Sequence, residues 1–177
     1  FGVNDCSGGP EIRTPDWKVP VWNVFKKNWV NAYYGGGEKQ PGCWFDFSIG
    51  DVQFFMTDSR YYRTPPKGTP EEKRSMFGPA QRDWLLGKLK ASRAKFKVLC
   101  SAVPWAYGTK PGSLDTWEGF KHEREIIFSY INKNRIDGVV LLSADRHRSD
   151  VWKIERPNGY DLYEFESSRL TNIHVHK

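Results

Sequence analysis

Asp145, Arg146 and His147 are the residues whose types and spacing best suit chemistry. They follow a continuous apolar run, residues 139–142, which is typical of a strand buried on both faces. Catalytic and ligand-binding groups in open α/β sheets gather at the carboxyl ends of such strands. A carboxylate and an imidazole two residues apart suit a divalent metal ion, and arginine suits a phosphate oxyanion. A strand followed by a solvated polar loop fits the same pattern equally well, because Asp-x-His alone is a weak motif.

Two other apolar runs end in comparable residues. Residues 52–56 are followed by Asp58 and Arg60, and residues 96–103 are followed by Trp105. If these strands lie parallel and side by side with the run 139–142, their ends share one edge of the sheet. A carboxylate, an imidazole, guanidinium groups and an indole would then line one crevice, which fits metal-assisted hydrolysis of a phosphate ester. The alternatives are that Asp58 and Arg60 pair with each other or cap backbone groups, and that Trp105 anchors its loop.

Composition sets wider limits on the protein. The chain has 177 residues, of which 38% are hydrophobic, so it is long enough for one domain with a core. A net charge of +6 fits a phosphorylated or polyanionic partner, and it fits a soluble basic protein equally well. Nucleic-acid binding is the minor alternative, since the basic residues are scattered.

The cysteines and the apolar segments exclude some classes. Three cysteines without CxxC spacing argue against a zinc cluster or a thiol redox motif, while Cys6 and Cys43 could pair in an oxidising compartment. No apolar window has the length of a transmembrane helix, and no signal peptide is present in this chain. The first residue is Phe rather than Met, which indicates that the chain begins after a segment that was processed, disordered or removed.

The periodicity predicts an α/β layered domain that spans residues 1–177, with a loop-rich lead-in over 1–42 and an α/β body over 43–172. The predicted elements are, in chain order, a short helix over 21–30, a hairpin over 43–56, a helix over 79–92, a strand over 96–103, a helix from 115 or 116 to about 135, a strand over 139–142 and a hairpin over 151–165.

Several segments together resemble the C-terminal half of the PhoD-like alkaline phosphatases, which belong to the calcineurin-like metallophosphatase superfamily. Their order and spacing match over most of the chain, to about residue 172. The matching segments are residues 54–63, 77–85, 96–101, 115–124 and 142–149.

This resemblance implies a layered αββα sandwich of mixed sheets, present here as its C-terminal portion. It also implies phosphomonoesterase or phosphodiesterase activity, iron and calcium as metals, and a secreted or periplasmic location. Asp145, His147 and Asn4 match the positions of metal ligands. Asp145, His147 and Arg60 are then the expected catalytic residues, and Arg60, Arg146 and Trp105 are the expected contacts to the phosphate ester.

The chain also departs from the family pattern. Ala144 stands where the family usually has glycine, and the Cys, Asp, Tyr and Asp-Asp-His ligands of the N-terminal half are not in this sequence. Three ligands are too few for a bimetallic centre. We therefore expect the N-terminal half of the same domain to complete the site. The alternative is a catalytically incomplete fragment, or a non-catalytic module that binds phosphorylated ligands or nucleic acid.

Overall fold

Residues 16–168 of the computed structural model form one mixed six-stranded sheet with helices packed on it. The strands are β1 (Phe45–Ile49), β2 (Val52–Met56), β3 (Phe96–Cys100), β4 (Val139–Ser143), β5 (Ser149–Ile154) and β6 (Leu162–Ser167). The helices are α1 (Lys18–Asn28), α2 (Gly78–Ala91) and α3 (Lys121–Lys133), with 3₁₀ turns at Glu71–Lys73 and Trp117–Phe120. Within this part of the chain, no helix is long and apolar enough to cross a membrane.

The strand order is β1-β2-β3-β4-β6-β5. Strands β2, β3, β4 and β6 run parallel to one another, and β1 and β5 are antiparallel edge strands. Met56, Cys100 and Leu142 are neighbours in the register, so the ends of β2, β3 and β4 lie side by side. The predicted common edge is therefore confirmed. We call it the rim: the carboxyl ends of these strands with the loops 57–63, 101–116 and 144–148.

Local sequence accounts for most of the elements. Gly50 turns the β1–β2 hairpin with a φ of 55°, which a residue without Cβ adopts at no cost. Pro79 lies in the first turn of α2, where its missing N–H is not needed. Thr116 caps the turn before α3, because its side chain accepts a hydrogen bond from the Glu118 backbone N–H. The predicted helices and hairpins are confirmed, with ends that differ by a few residues.

The core lies between one face of the sheet and helices α2 and α3. Phe55, Leu99 and Leu141 form a cross-strand row on this face and are fully buried. Ile127 and Ile131 project from α3 into the same core. The α/β class with a mixed sheet is thus confirmed; of the expected two-sheet sandwich, residues 16–168 supply one sheet.

The opposite side, which we call the outer sheet face, carries half-exposed apolar side chains. Phe47, Phe54, Val98, Val140 and Tyr163 form one cross-strand row on it. The large apolar residues of this face that are between 38% and 66% exposed are Phe47, Ile49, Phe96, Val151, Tyr163 and Phe165. Apolar surface of this kind is typical of a face that contacts another polypeptide, a membrane or a ligand.

A buried carboxylate fixes the loop 101–116, which we call the β3–α3 loop. Glu164 of β6 is fully buried and accepts hydrogen bonds from the backbone N–H groups of Trp105 (2.8 Å) and Ala106 (2.7 Å) and from the Ser143 hydroxyl. Trp105 stacks on Trp117 with ring centroids 4.5 Å apart. The base of the loop is therefore tied to both the sheet and the core.

Replacement of Glu164 by Ala should lower the free energy of unfolding by about 2–5 kcal/mol, because two buried backbone N–H groups lose their acceptor. Urea unfolding of the two proteins measures this difference. Glu155→Ala is the matched control, since the Glu155 side chain is 81% exposed, and it should change stability by less than about 0.5 kcal/mol. Equal effects of the two substitutions would contradict the anchoring role.

Candidate active site

The loop after β4 has an unusual backbone. Asp145 and His147 have φ values of 83° and 55°, in the left-handed region that residues with a side chain seldom adopt. The His147 backbone N–H donates to the Ser168 hydroxyl at 2.7 Å, which holds this loop against the end of β6. Such conformations cost about 1–3 kcal/mol each and cluster at functional sites. The two residues singled out in the sequence therefore lie in a strained turn at the rim.

The Asp145 carboxylate is only partly compensated. Its Oδ2 atom is buried and has no hydrogen-bond partner among the described residues. Lys110 of the β3–α3 loop places its Nζ atom 3.8 Å from this oxygen, which is an ion pair beyond hydrogen-bond distance. A buried carboxylate oxygen without a donor is costly unless a cation or donor completes it, so this atom has the character of a ligand.

Arg60 lies at the rim, as expected, and its side chain is almost fully buried. Its Nη1 and Nη2 atoms donate to the two carboxylate oxygens of Asp115 at 3.0 and 3.3 Å. Arg63 donates to the same carboxylate. Burial raises the pKa of Asp115, but the charges of Arg60 and Arg63 outweigh it and hold that pKa below its usual range.

Arg146 is held at one end of its guanidinium group. Its Nε atom donates to the backbone carbonyl of Thr109 at 2.9 Å. Within residues 16–168 its Nη atoms make no hydrogen bond. A guanidinium fixed at Nε with its Nη pair unoccupied suits bidentate contact to a phosphate.

Asp58 has a structural role, in agreement with the capping alternative. Its carboxylate accepts backbone N–H groups of Cys43, Arg60 and Tyr61, each at 2.9 Å. The buried Gln81 side chain bonds both the N–H and the C=O of Asp58. This residue shapes the loop that presents Arg60.

The Trp105 side chain is buried and is not accessible to a substrate. The side chain has no exposed surface and packs against Phe77, Trp117 and Phe128 in the core. The expected contact between Trp105 and the phosphate ester is thus corrected to the alternative, in which the indole anchors its loop.

Glu166 is a buried carboxylate close to the rim. It is 2% exposed, and neither carboxylate oxygen has a hydrogen-bond partner among the described residues. Its register partners are Ser143 on β4 and Asp150 on β5. Burial first, and then the charges of Asp150 and Glu164, raise the pKa of Glu166 to about 7.

Two of the described residues fit the metal site that the family resemblance implies. Asp145 and His147 have the right ligand chemistry, and the Asp145 Oδ2 atom, which has no hydrogen-bond donor among the described residues, fits a ligand atom. Within residues 16–168, however, no group of three or more His, Cys, Asp or Glu side chains is placed to hold an ion. Asn4 lies outside the described residues, as does Cys6 with its possible bond to Cys43. Residues 16–168 alone therefore do not complete a metal centre.

Sequence reasoning missed four residues of this region: Arg63, Lys110, Asp115 and Glu166. Arg63 is 6% exposed, and Asp115 accepts hydrogen bonds from both Arg60 and Arg63. The three-residue spacing of Arg60 and Arg63 directly after a buried strand is the signal that could have found Arg63. Nothing in the local sequence indicates that Asp115, 55 residues away from Arg60, joins them.

A family model described as PhoD-like phosphatase matches residues 28–175, most of the chain. The chain belongs to the PhoD-like phosphatase family. Alkaline phosphatase D of Bacillus subtilis (strain 168) is 28% identical over 120 residues, which covers 58% of this chain and 21% of that protein. The chain thus spans about a fifth of the length of this curated relative.

The fold of this PhoD-like chain is also found in a solved structure. The structure of PhoD aligns with a TM-score of 0.70 and 20% sequence identity, over 83% of this chain and 33% of that chain. At this identity the likeness establishes the fold alone. The mixed sheet and its helices are therefore those of a PhoD-like protein.

The buried Glu166 predicts a pH dependence of stability. Its folded-state pKa of about 7 lies above the ordinary value of 4.5, so the folded state holds the proton more tightly. The stability that this proton contributes is complete below about pH 4.5, falls as the pH rises and is lost above about pH 7. Glu166→Gln should therefore gain stability relative to the wild type between pH 5 and 8, by on the order of 2 kcal/mol.

Urea unfolding at several pH values measures this difference. Glu155→Gln, at an exposed position, should show a constant difference from the wild type over the same range. If the stability difference between Glu166→Gln and the wild type is equally constant over this pH range, Glu166 is ionised in the folded state throughout.

Proposed function

We propose that this chain forms the phosphoryl-binding side of a metal-dependent phosphoester hydrolase. The observation that carries the proposal is the group of cations around the strained Asp145–His147 turn. The rim as defined carries five positive charges and three negative charges, on Arg60, Arg63, Lys110, Arg146 and Arg148 and on Asp58, Asp115 and Asp145, respectively. Membership of the PhoD-like phosphatase family supports phosphoester hydrolysis as the reaction.

In this proposal the side chains of the chain have separate roles. Asp145 and His147 hold a metal ion, with iron and calcium as the proposed metals, and further ligands come from polypeptide outside residues 16–168. A metal bound there would polarise the phosphoryl group as a Lewis acid and would activate a water molecule for attack. Arg146 binds phosphoryl oxygens through its Nη atoms, and Arg60 offsets the negative charge that builds up on them. The substrate is a phosphate monoester or diester.

The complete protein tests these roles. Asp145→Asn and His147→Ala should each lower kcat/KM for p-nitrophenyl phosphate and for bis(p-nitrophenyl) phosphate by more than about 100-fold. The reason is that even outer partners of metal ligands contribute roughly 10- to 100-fold. Metal content, measured by elemental analysis, should fall in both variants while circular dichroism stays unchanged.

Matched controls come from residues of the same type away from the rim. Asp51 precedes β2 at the opposite edge of the sheet and pairs with Lys95, and His122 is exposed on α3. Asp51→Asn and His122→Ala should keep wild-type turnover. Normal turnover in the Asp145 and His147 variants would exclude the proposed reaction at this rim. Phosphate binding without hydrolysis in the complete wild-type protein would favour the non-catalytic alternative.

We further propose that the outer sheet face packs against a second sheet of the same domain, formed by polypeptide outside residues 16–168. The half-exposed rings support this, since Phe47 and Phe54 stack at 5.0 Å and extend the apolar surface across several strands. A two-layer arrangement would bury these side chains and bring further ligands to the rim.

Phe165→Lys in the complete protein tests the second layer. If Phe165 is covered, an unpaired ammonium group replaces a buried ring, and the free energy of unfolding should fall by about 3 kcal/mol or more. Val24→Lys is the control, because Val24 is 59% exposed on α1 and is not part of the outer sheet face. A loss below about 0.5 kcal/mol for Phe165→Lys would mean that the face is open to water.

A further inference from the structure

One carboxylate holds two buried guanidinium groups at the rim. Arg60 and Arg63 are 4% and 6% exposed, and both donate to Asp115. The arginines follow β2, whereas Asp115 belongs to the β3–α3 loop, so the contacts join segments more than 50 residues apart.

The geometry fixes orientation as well as position. Both Nη atoms of Arg60 meet the two oxygens of Asp115, which sets the plane of that guanidinium group. Each Nη atom carries two hydrogens, so one N–H on each remains for another acceptor. The direction of these remaining donors therefore depends on Asp115.

The tip of the same loop reaches the other charged groups of the rim. The Thr109 carbonyl holds the Nε atom of Arg146, and Lys110 pairs with Asp145. The Glu118 carboxylate accepts the N–H of Gly108, and Glu164 fixes the base of the loop. The loop is thus a rigid support on which the anion-binding groups of two other loops rest.

We propose that Asp115 is a positioning residue of the phosphoester site. Its carboxylate holds Arg60 and Arg63 in the orientation that binds a phosphoryl oxyanion. This inference rests on the proposed function. It assigns the orientation of the two arginines to a residue on a different loop.

The positioning role and simple electrostatics predict opposite changes in phosphate affinity for Asp115→Asn. Asp115→Asn removes a negative charge beside an anion site, and charge alone would therefore strengthen phosphate binding. Positioning predicts weaker binding, because an amide offers one acceptor oxygen where the two guanidinium groups now use two, and its NH₂ group faces donors. Whether the Kd for phosphate rises or falls therefore decides between positioning and charge alone.

The experiment compares wild type, Asp115→Asn and Asp161→Asn in the complete, metal-loaded protein. The Asp161 carboxylate pairs with Lys153 and precedes β6 at the edge opposite the rim, so it provides the same charge change without contact to the site. Isothermal titration with inorganic phosphate at fixed ionic strength gives Kd. We expect Kd to rise roughly 10-fold in Asp115→Asn, which corresponds to the loss of charge-assisted hydrogen bonds, and to stay unchanged in Asp161→Asn.

A second variant separates positioning from loss of folding. Asp115→Glu keeps the charge and adds one methylene, so positioning predicts a smaller rise in Kd and charge alone predicts none. Circular dichroism and melting temperature show whether Asp115→Asn folds. If it does not, the Kd of Asp115→Glu decides the question. An unchanged or lower Kd in a folded Asp115→Asn protein, or a wild-type Kd in Asp115→Glu, would overturn the proposal.

The outcomes also separate this inference from the proposed function. A wild-type protein that binds phosphate but hydrolyses neither nitrophenyl ester contradicts the proposed reaction and leaves the Kd comparison decisive for Asp115. A wild-type protein that does not bind phosphate overturns both.

Discussion

Parallel pairing of β2, β3 and β4 is the constraint on which the site depends. Parallel strands that lie in register end at the same edge of the sheet. The loop after each of these strands therefore starts at that edge. The crossovers through α2 and α3 return the chain to the amino end of the next strand, so all three loops after the strands lie together. The charged residues of segments far apart in sequence meet at the rim for this reason.

The carboxylates that lie at or close to the rim differ in their hydrogen bonds. Glu164 is compensated by two backbone N–H groups and a hydroxyl, and it acts as an anchor. Glu166 and the Asp145 Oδ2 atom accept no comparable set of hydrogen bonds among the described residues, and Lys110 approaches the latter only to 3.8 Å. Proteins seldom keep uncompensated carboxylates in the interior unless a ligand, a proton or a specific chemistry requires them. Glu164 thus supports the rim structurally, whereas the reactive role of Asp145 belongs to the proposed function.

The outer sheet face and the partial ligand set lead to the same interpretation. A sheet covered by helices on one side and half-exposed on the other fits one half of the proposed two-sheet sandwich. The proposed metal centre has two ligand-type residues within residues 16–168 and needs further ligands. Both requirements are met if one further segment of the PhoD-like domain packs on the outer sheet face with its own loops at the rim.

The sequence by itself determined the secondary elements, their order, the α/β class and the placement of Asp145 and His147 at a strand end. These features depend on local periodicity and turn residues, which are present within each segment. Only the tertiary structure decided which polar residues are buried. The alternation Leu162 to Glu166 predicts the same strand whether its aromatic residues or its glutamates face the core, and the structure turns Glu164 and Glu166 inward. Likewise, Arg63 and Asp115 resemble solvated loop residues until the fold brings them together across more than 50 residues, because burial depends on which distant segment covers a side chain.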